Sequence, residues 1–494
     1  VICGAGFAGL SAISRLTRAG LRVTLVDGNL YSTFQPLLYQ VATAGLNPGD
    51  VAYPAGGFAG RYGANFRHGE LATIDPVSRR IKLTNGLELG YDYLIIATGV
   101  SAAYHGIKGA AENTFALYTR TDADRLRDHL LAAFERLSVD SGDLHITVAG
   151  GGATGVELAG TLAELGATVL AATFPDVDPA RVHVRLIEMA PSLLTTFNEK
   201  LREYARVQLD KRGVDIRLNT RIAEITARQV LLADGENLPS GLTVWAAGVG
   251  AADAVAGWGL PQGKGGRILV GSDLRVQGQD RIFAVGDIAE NPDHPTPQLA
   301  QPALQMGRHV GAQIVRLHRH ADTEPFTYHD KGQMATIGRR SAVVQLAQGL
   351  RLRGTLAWLS WLALHLFYLL GGRNRVSTMI NLTYRYLAWG HGGAVIVGDD
   401  PEVPVRAPAP DSPPYAPYDE RPSRPSHAEP TNERDVLMDL RAVADSRRVG
   451  VRLVAGFDRV GVWRRSTGRW TGISRSCSLR ICGSGCRLII RCGW

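Results

Sequence analysis

VICGAGFAGLSAISRLTRAGLRVTLVD, residues 1 to 27, reads as strand, glycine turn, helix and strand, the opening of a βαβ unit. Gly4, Gly6 and Gly9 form GxGxxG after an apolar strand and at a helix start. There the turn must be tight, the backbone must approach a pyrophosphate, and the helix N-terminus favours negative charge. Asp27 falls 18 residues after Gly9, at a strand end where a carboxylate can bond ribose hydroxyls. Glycines also serve plain turns, but the flanking elements and the terminal acid favour a dinucleotide.

Working outward, the pattern returns in LHITVAGGGATGVELAGTLAELG, residues 144 to 166, with Gly150, Gly152 and Gly155 in the same frame. The later strand VHVRLIE closes at Glu188, 33 residues past Gly155, so the loop through FPDVDPAR is expected to absorb the excess over the usual ~20. An acid there favours NADH, because the 2′-phosphate of NADPH would meet a carboxylate; the plainer reading is a solvated strand end. Two such units imply two nucleotide-sized pockets. The runs YDYLIIATG (91–99), LTVWAAG (242–248) and RIFAVGD (281–287) are apolar, end at or near a glycine and suit parallel strands covered on both faces.

The chain has 494 residues, enough for two to three domains. Its net charge is +8, yet residues 401–494 hold 16 Arg and 10 acidic residues, so most of the excess sits in the tail and nucleic-acid binding by the body has no support. Cys3 precedes all other cysteines by several hundred residues, which leaves the body without a disulfide framework or a CxxC pair and fits a reducing compartment. Only Val1, Ile2 and Cys3 precede the first glycine motif, where a strand of about five residues is usual, so upstream residues are expected to be missing and a targeting segment stays open.

The order GAGFAG, ATG (97–99), GGGATGVE (150–157), WAAG (245–248) and AVGD (284–287) resembles the two-dinucleotide FAD/NAD(P)H oxidoreductases. That resemblance implies that Asp287 accepts hydrogen bonds from a flavin ribityl chain and that Ala97, Thr98 and Gly99 pass close to the flavin, whereas Gly248 belongs with the NADH unit. By itself Asp287 reads equally well as a helix N-cap. Members that reduce disulfides need a redox cysteine pair, which this body lacks, so the acceptor must meet the flavin directly: a quinone, oxygen or a protein carrier.

Narrower motifs choose among these. FQPLLYQVATAGL (34–46), AQPALQ (300–305), KGQMATIGRRSAVVQ (331–345) and WLSWLALHLFYLLGGRNRV (358–376) resemble the type II NADH dehydrogenases, single-subunit NADH:quinone oxidoreductases that pump no protons. The resemblance runs from residue 1 to about 400. It implies that Gln301 and Gln305 line a quinone head-group site, with Gln40 a less certain neighbour, and that Glu157 is the family's glutamate near nicotinamide and flavin. The plainer readings are a surface helix with solvated glutamines, and an acid in the first turns of a helix.

Leu356 to Leu370 is an apolar run about 22 Å long as a helix, too short to span a hydrocarbon core of about 30 Å. The next stretch is amphipathic: Val376, Met379, Ile380 and Leu387 fall near one face, Ser377, Asn381 and Arg385 on another. Arg351, Arg353, Arg373 and Arg375 flank the run and suit anionic head groups, so residues 351–390 are expected to contact a membrane surface. The same run fits a buried core or a homodimer helix, and both hold if a dimer presents paired anchors. Prolines from Pro401 to Pro430 read as a solvated linker; beyond it lie one short helix, ERDVLMDLRAVADS, and an Arg-rich stretch. Cys477, Cys482, Cys486 and Cys492 lack CxxC spacing and a nearby His, so no metal site is expected.

The expected architecture is α/β, with two Rossmann-like domains for FAD and NADH. FAD would be held by 1–115 and 255–340, NADH by 116–254. A helical membrane-contacting segment follows over 341–400, then the linker 401–430 and a tail, 431–494, expected to be disordered. NADH would reduce non-covalent FAD, which would pass electrons to a membrane quinone at the cytoplasmic or matrix face of an energy-transducing membrane, with no metal required. An NADH oxidase or a reductase of a small protein carrier would use the same pockets, and a flavin-binding sensor is the alternative outside enzymes.

Overall fold

The structure is a computed structural model describing residues 1–139, 141–173, 177–387, 477–482 and 487–492, with the side chains of 167–173, 385–387 and the last two segments outside the description. The body, Val1–Ala407, and the end, Pro408–Trp494, are separate units. In chain order the elements that build the body are β1 (Ile2–Cys3), α1 (Phe7–Arg18), β2 (Thr24–Asp27), β3 (Asn65–His68), β4 (Leu94–Ile96), β5 (Phe115–Ala116), α2 (Arg120–Val139), β6 (Leu144–Ala149) and α3 (Ala153–Thr173). There follow β7 (Val182–Ile187), α4 (Glu199–Asp210), β8 (Asp215–Arg217), β9 (Leu242–Trp245), β10 (Ile282–Ala284), α5 (Ala300–His318), β11 (Gln333–Gly338), β12 (Ser341–Gln345), β13 (Arg351–Arg353), α6 (Thr355–Tyr368) and α7 (Gly372–Leu387).

The apolar runs expected as parallel strands are parallel strands. One sheet has the order β10-β4-β1-β2-β3 and a second β5-β9-β6-β7-β8. In each, the strand order reverses beside the strand that leads into a glycine turn, which opens a crevice at the strands' C-terminal ends. Side chains of β4, β9 and β10 are buried throughout, as strands covered on both faces require.

The 33-residue interval from Gly155 to Glu188 is absorbed differently from the expectation. Helix α3 has 21 residues where α1 has 12, so nine of the extra residues extend the helix rather than the loop. Gly160 lies in that helix, and a Cβ there would overlap the Ile337 carbonyl. Glycine thus lets β11 lie directly on α3. Strands β11, β12 and β13 form an antiparallel sheet with Gly338 opposite Ser341, so the division expected between 340 and 341 falls inside a hairpin. Ile337, Val343, Trp361 and Leu382 share one core with Val148, Val156 and Leu186 of the second nucleotide unit.

The amphipathic α7 faces opposite to a helix on a water-soluble surface. Its polar side is turned inward: Asn374 donates to the Ala52 carbonyl at 2.8 Å, and Ser377 and Asn381 donate to the two oxygens of Asp50 at 2.6 and 2.7 Å. Val376, Met379 and Ile380 are about half exposed, and on α6 Leu356 and Phe367 are each 69% exposed. No described helix is long and apolar enough to cross a membrane. In the end unit, Cys477–Cys482 pairs antiparallel with Arg487–Cys492. The linker and the short helix expected over 433–446 lie outside the described residues.

Candidate functional site

A cleft of about 550 Å³ opens where the two sheets approach each other. Its floor is the first glycine turn, Gly4 to Ala8, at the N-terminus of α1. No side chain caps that helix, so its first N–H groups are left for a ligand. A Cβ on Gly9 would overlap the Gly4 carbonyl, which ties the glycine to close packing of helix against strand. Asp27 accepts the Ala5 N–H at 2.6 Å and the Asn29 N–H at 2.7 Å. Burial raises its pKa, and these two bonds partly offset the rise.

Remote segments supply the walls. Ala97, Thr98 and Gly99, after β4, and Asp287, after β10, line the cleft. Burial lifts Asp287 to about 6 against the pull of Arg267 and a hydrogen bond from Tyr118. Asp287 lies within the short helix Gly286–Ile288, whose N-cap is Val285, so it is not the cap. Tyr118 and Arg120, which the sequence reading did not single out, line it too. The Arg120 guanidinium lies 3.9 Å from the centre of the Tyr31 ring. Its buried Nε lies 4.0 Å from the Asp124 carboxylate but makes no hydrogen bond, and the Gln35 Oε1 in the same wall is unpartnered. Buried orphan polar atoms around an uncapped helix start fit a polar, anionic, nucleotide-sized group.

The second unit reaches the same space through Thr154, Glu157, Trp245, Ala246 and Gly248. Its glycine turn repeats the first: a Cβ on Gly155 would overlap the Gly150 carbonyl, and Glu188 accepts the N–H of Gly151 and, at 2.7 Å, that of Ala190. A Cβ on Gly152 would meet nothing, so this turn leaves its backbone open. Glu157 is buried on α3 and accepts the Thr336 N–H of β11 at 3.2 Å. Burial pushes its carboxyl up to about 8; the Thr336 N–H and, to a smaller extent, the Trp361 indole pull the other way.

Around that acid lies a cluster visible only in three dimensions. The Tyr39 hydroxyl and Thr336 Oγ1 are 3.0 Å apart, and Trp361 stacks on His365 with centroids 4.0 Å apart. His365, held down at about 4 by burial, is neutral. AQPALQ behaves less simply than expected. On α5 the cleft is lined by Ala300 and Ala303, next to Gln298 and Leu299. Gln301 donates to the Gly332 carbonyl at 3.1 Å and keeps a buried, unpartnered Oε1. Gln305 spends both ends of its amide on the His329 backbone, at 2.9 and 3.0 Å. Gln40 is buried in the short helix Leu38–Ala42.

A second cavity, about 340 Å³, lies between α1, α5 and the α6–α7 junction, with Phe7, Ser32 and Thr33 shared between its wall and the cleft's. Phe34, Tyr53, Leu304, Phe367, Arg308 and Arg375 also line it.

This geometry agrees with what the chain is similar to. A family model described as pyridine nucleotide-disulphide oxidoreductase matches residues 1–307 and defines the class. The type II NADH:quinone oxidoreductase Ndh of Mycobacterium tuberculosis is 34% identical over 419 residues, covering 80% of this chain and 89% of its own. NdhA of the same organism is 36% identical over 414 residues, covering 79% and 86%. The structure of NDH2 from Plasmodium falciparum in complex with NADH superposes with a TM-score of 0.74 at 18% identity, over 80% of this chain and 99% of that one, a likeness of fold. The chain belongs to the type II NADH:quinone oxidoreductases.

Proposed function

We propose that this chain oxidises NADH through a bound FAD and reduces a membrane quinone, without pumping protons. FAD occupies the first unit, with 1–115 and 255–340 around it, NADH enters over 116–254, and the flavin, when bound, supplies the redox chemistry. The observation that carries this reading is the single cleft lined at once by Gly4, Asp27 and Asp287 from one unit and by Glu157 and Gly248 from the other. Such a cleft brings two nucleotides edge to edge, and their approach is the positioning this reaction needs.

The chain's residues then have separate tasks. The first glycine turn and Arg120 meet the pyrophosphate; Asp27 and Asp287 meet the adenosine and ribityl hydroxyls. Glu188 meets the NADH ribose and disfavours a 2′-phosphate. Glu157, protonated at neutral pH with Oε1 occupied by the Thr336 N–H, holds its proton on Oε2 at the junction of the units. Gln301 has an unpartnered Oε1 that would accept from a quinol hydroxyl and, beyond the N–H given to the Gly332 carbonyl, a second amide N–H that would donate to a quinone carbonyl; Gln305 would first have to release His329, and Gln40, next to Tyr39, is buried.

The outward apolar sides of α6 and α7 support peripheral attachment to the membrane that dissolves the quinone, at the face where NADH is available, cytoplasmic or matrix. A homodimer fits the same surface. The deciding measurement is turnover of NADH with a short-chain quinone, run beside oxygen and ferricyanide. Quinone reduction faster than either alternative is the expected result; preference for oxygen would make the chain an NADH oxidase instead. Val376→Asp with Ile380→Asp is expected to abolish binding to anionic liposomes while leaving short-chain quinone turnover in place, and liposome binding that survives both charges would refute the anchor.

A further inference from the structure

We propose a transition-metal site at the N-terminal edge of the second parallel sheet, held by Asp143, His145 and His183 and suited to a divalent cation of the zinc class. Strands β6 and β7 pair in parallel with His145 directly opposite His183, so both imidazoles leave the same face of the sheet. Their rings stack with centroids 4.8 Å apart and planes 19° apart. Asp143, one residue before β6, places Oδ2 3.0 Å from the His183 Nε2. One donor atom from each of the three residues lies within 4.8 Å of the others.

Two imidazoles and a carboxylate are a donor set that zinc accepts, with ligand distances of about 2.0–2.2 Å. Closing the donors onto one ion needs shifts of about 1 Å, which the half-exposed side chains of Asp143 and His183 can supply. The strand register fixes the two histidines beside each other before any ion arrives, so little ordering is left for binding to impose.

A surface ion pair between Asp143 and His183 accounts for only part of this arrangement. It leaves His145 outside the contact, stacked on the His183 ring, with its buried Nδ1 lacking a hydrogen-bond partner. Such an orphan is costly, and a cation ligated by His145 through Nδ1 would satisfy it. Of the cations facing the group, Arg185 is paired with Asp215 at 2.8 Å, and Arg181 is turned onto the carbonyls of Leu137 and Gly142.

The site stands apart from the redox cleft. His145 lies at the start of β6 and Gly150 just past its end, about 16 Å apart at ~3.3 Å per residue. A metal here would clasp the entrances of two neighbouring strands and act on stability rather than on electron transfer. The test uses the flavin-loaded full chain, stripped with a chelator and titrated with zinc chloride by calorimetry, then melted with and without zinc. One equivalent is expected to bind saturably and to raise Tm. His183→Ala and Asp143→Asn are each expected to weaken binding at least tenfold and to remove the Tm shift, with NADH oxidation unchanged in the absence of zinc. Asp143→Asn is an exposed, near-isosteric change, so it carries the test if the histidine variant folds poorly. Absence of saturable binding, or equal affinity in wild type and both variants, would overturn the site.

Discussion

At the first glycine turn Asp27 accepts the N–H of Ala5; at the second, Glu188 accepts that of Gly151, in each case the residue after the first glycine. The local chemistry is the same, yet the surroundings differ. Tyr118, Arg120, Asp287 and Gln298 close over the first turn from distant parts of the chain, and burial raises Asp27. Asp27 and Glu188 are both half-buried, but Gly150, Gly152, Gly155 and Glu188 stand outside the lining of the cleft. An enclosed turn suits a nucleotide that remains bound, and an open one suits a nucleotide that arrives and departs. Two copies of one motif thus differ in what covers them.

The largest effects should come from breaking the two turns in parallel. Gly9→Ala is expected to yield protein without its yellow flavin and with turnover reduced at least ~100-fold, about 2.7 kcal/mol of lost transition-state stabilisation. Gly155→Ala is expected to keep the flavin and to lose its rapid reduction by NADH in stopped-flow mixing. If Gly155→Ala released the flavin and Gly9→Ala kept it, the assignment of the turns would be reversed. A smaller change comes from the acids. Glu188→Ala should cut the preference for NADH over NADPH by about tenfold in kcat/KM, roughly 1.4 kcal/mol, whereas an unchanged ratio would mean that another residue reads the ribose.

Glu157 probes the seam between the units. Its folded value of about 8 lies above the ordinary 4.5, so the folded chain binds this proton more tightly than the unfolded chain does. The resulting stabilisation is complete below the unfolded value, declines above it, and is lost as pH rises through about 8. Between pH 5 and 9 the wild-type Tm should therefore fall more steeply than that of Glu157→Gln; parallel curves would place the acid's titration elsewhere. The smallest effect is expected at the end of the chain. Ending it at Ala407 should leave flavin content and quinone turnover within about twofold, because every residue lining the cleft precedes that point. Lost flavin in the shortened protein would give the end unit a role in the body.

Both nucleotide units were readable in one dimension because their chemistry is local: Gly4, Gly6, Gly9 and Asp27 act within a single strand–turn–helix–strand segment, and so do Gly150, Gly152, Gly155 and Glu188. The short spacing forces the contact, whatever the rest of the chain does. The apolar faces of α6 and α7 were legible for the same reason, since helical periodicity alone puts Val376, Met379 and Ile380 on one side. Their outward direction was not, because it depends on Asp50, more than three hundred residues earlier, taking the polar side through Ser377 and Asn381. Likewise no spacing announces that Thr336 bonds Glu157, that Arg120 and Tyr118 wall the cleft, or that Gln305 is tied to His329. Periodicity and turn chemistry act over a few residues and are written into neighbouring letters, whereas burial, a raised carboxyl pKa and a shared cleft arise only where distant segments exclude water together.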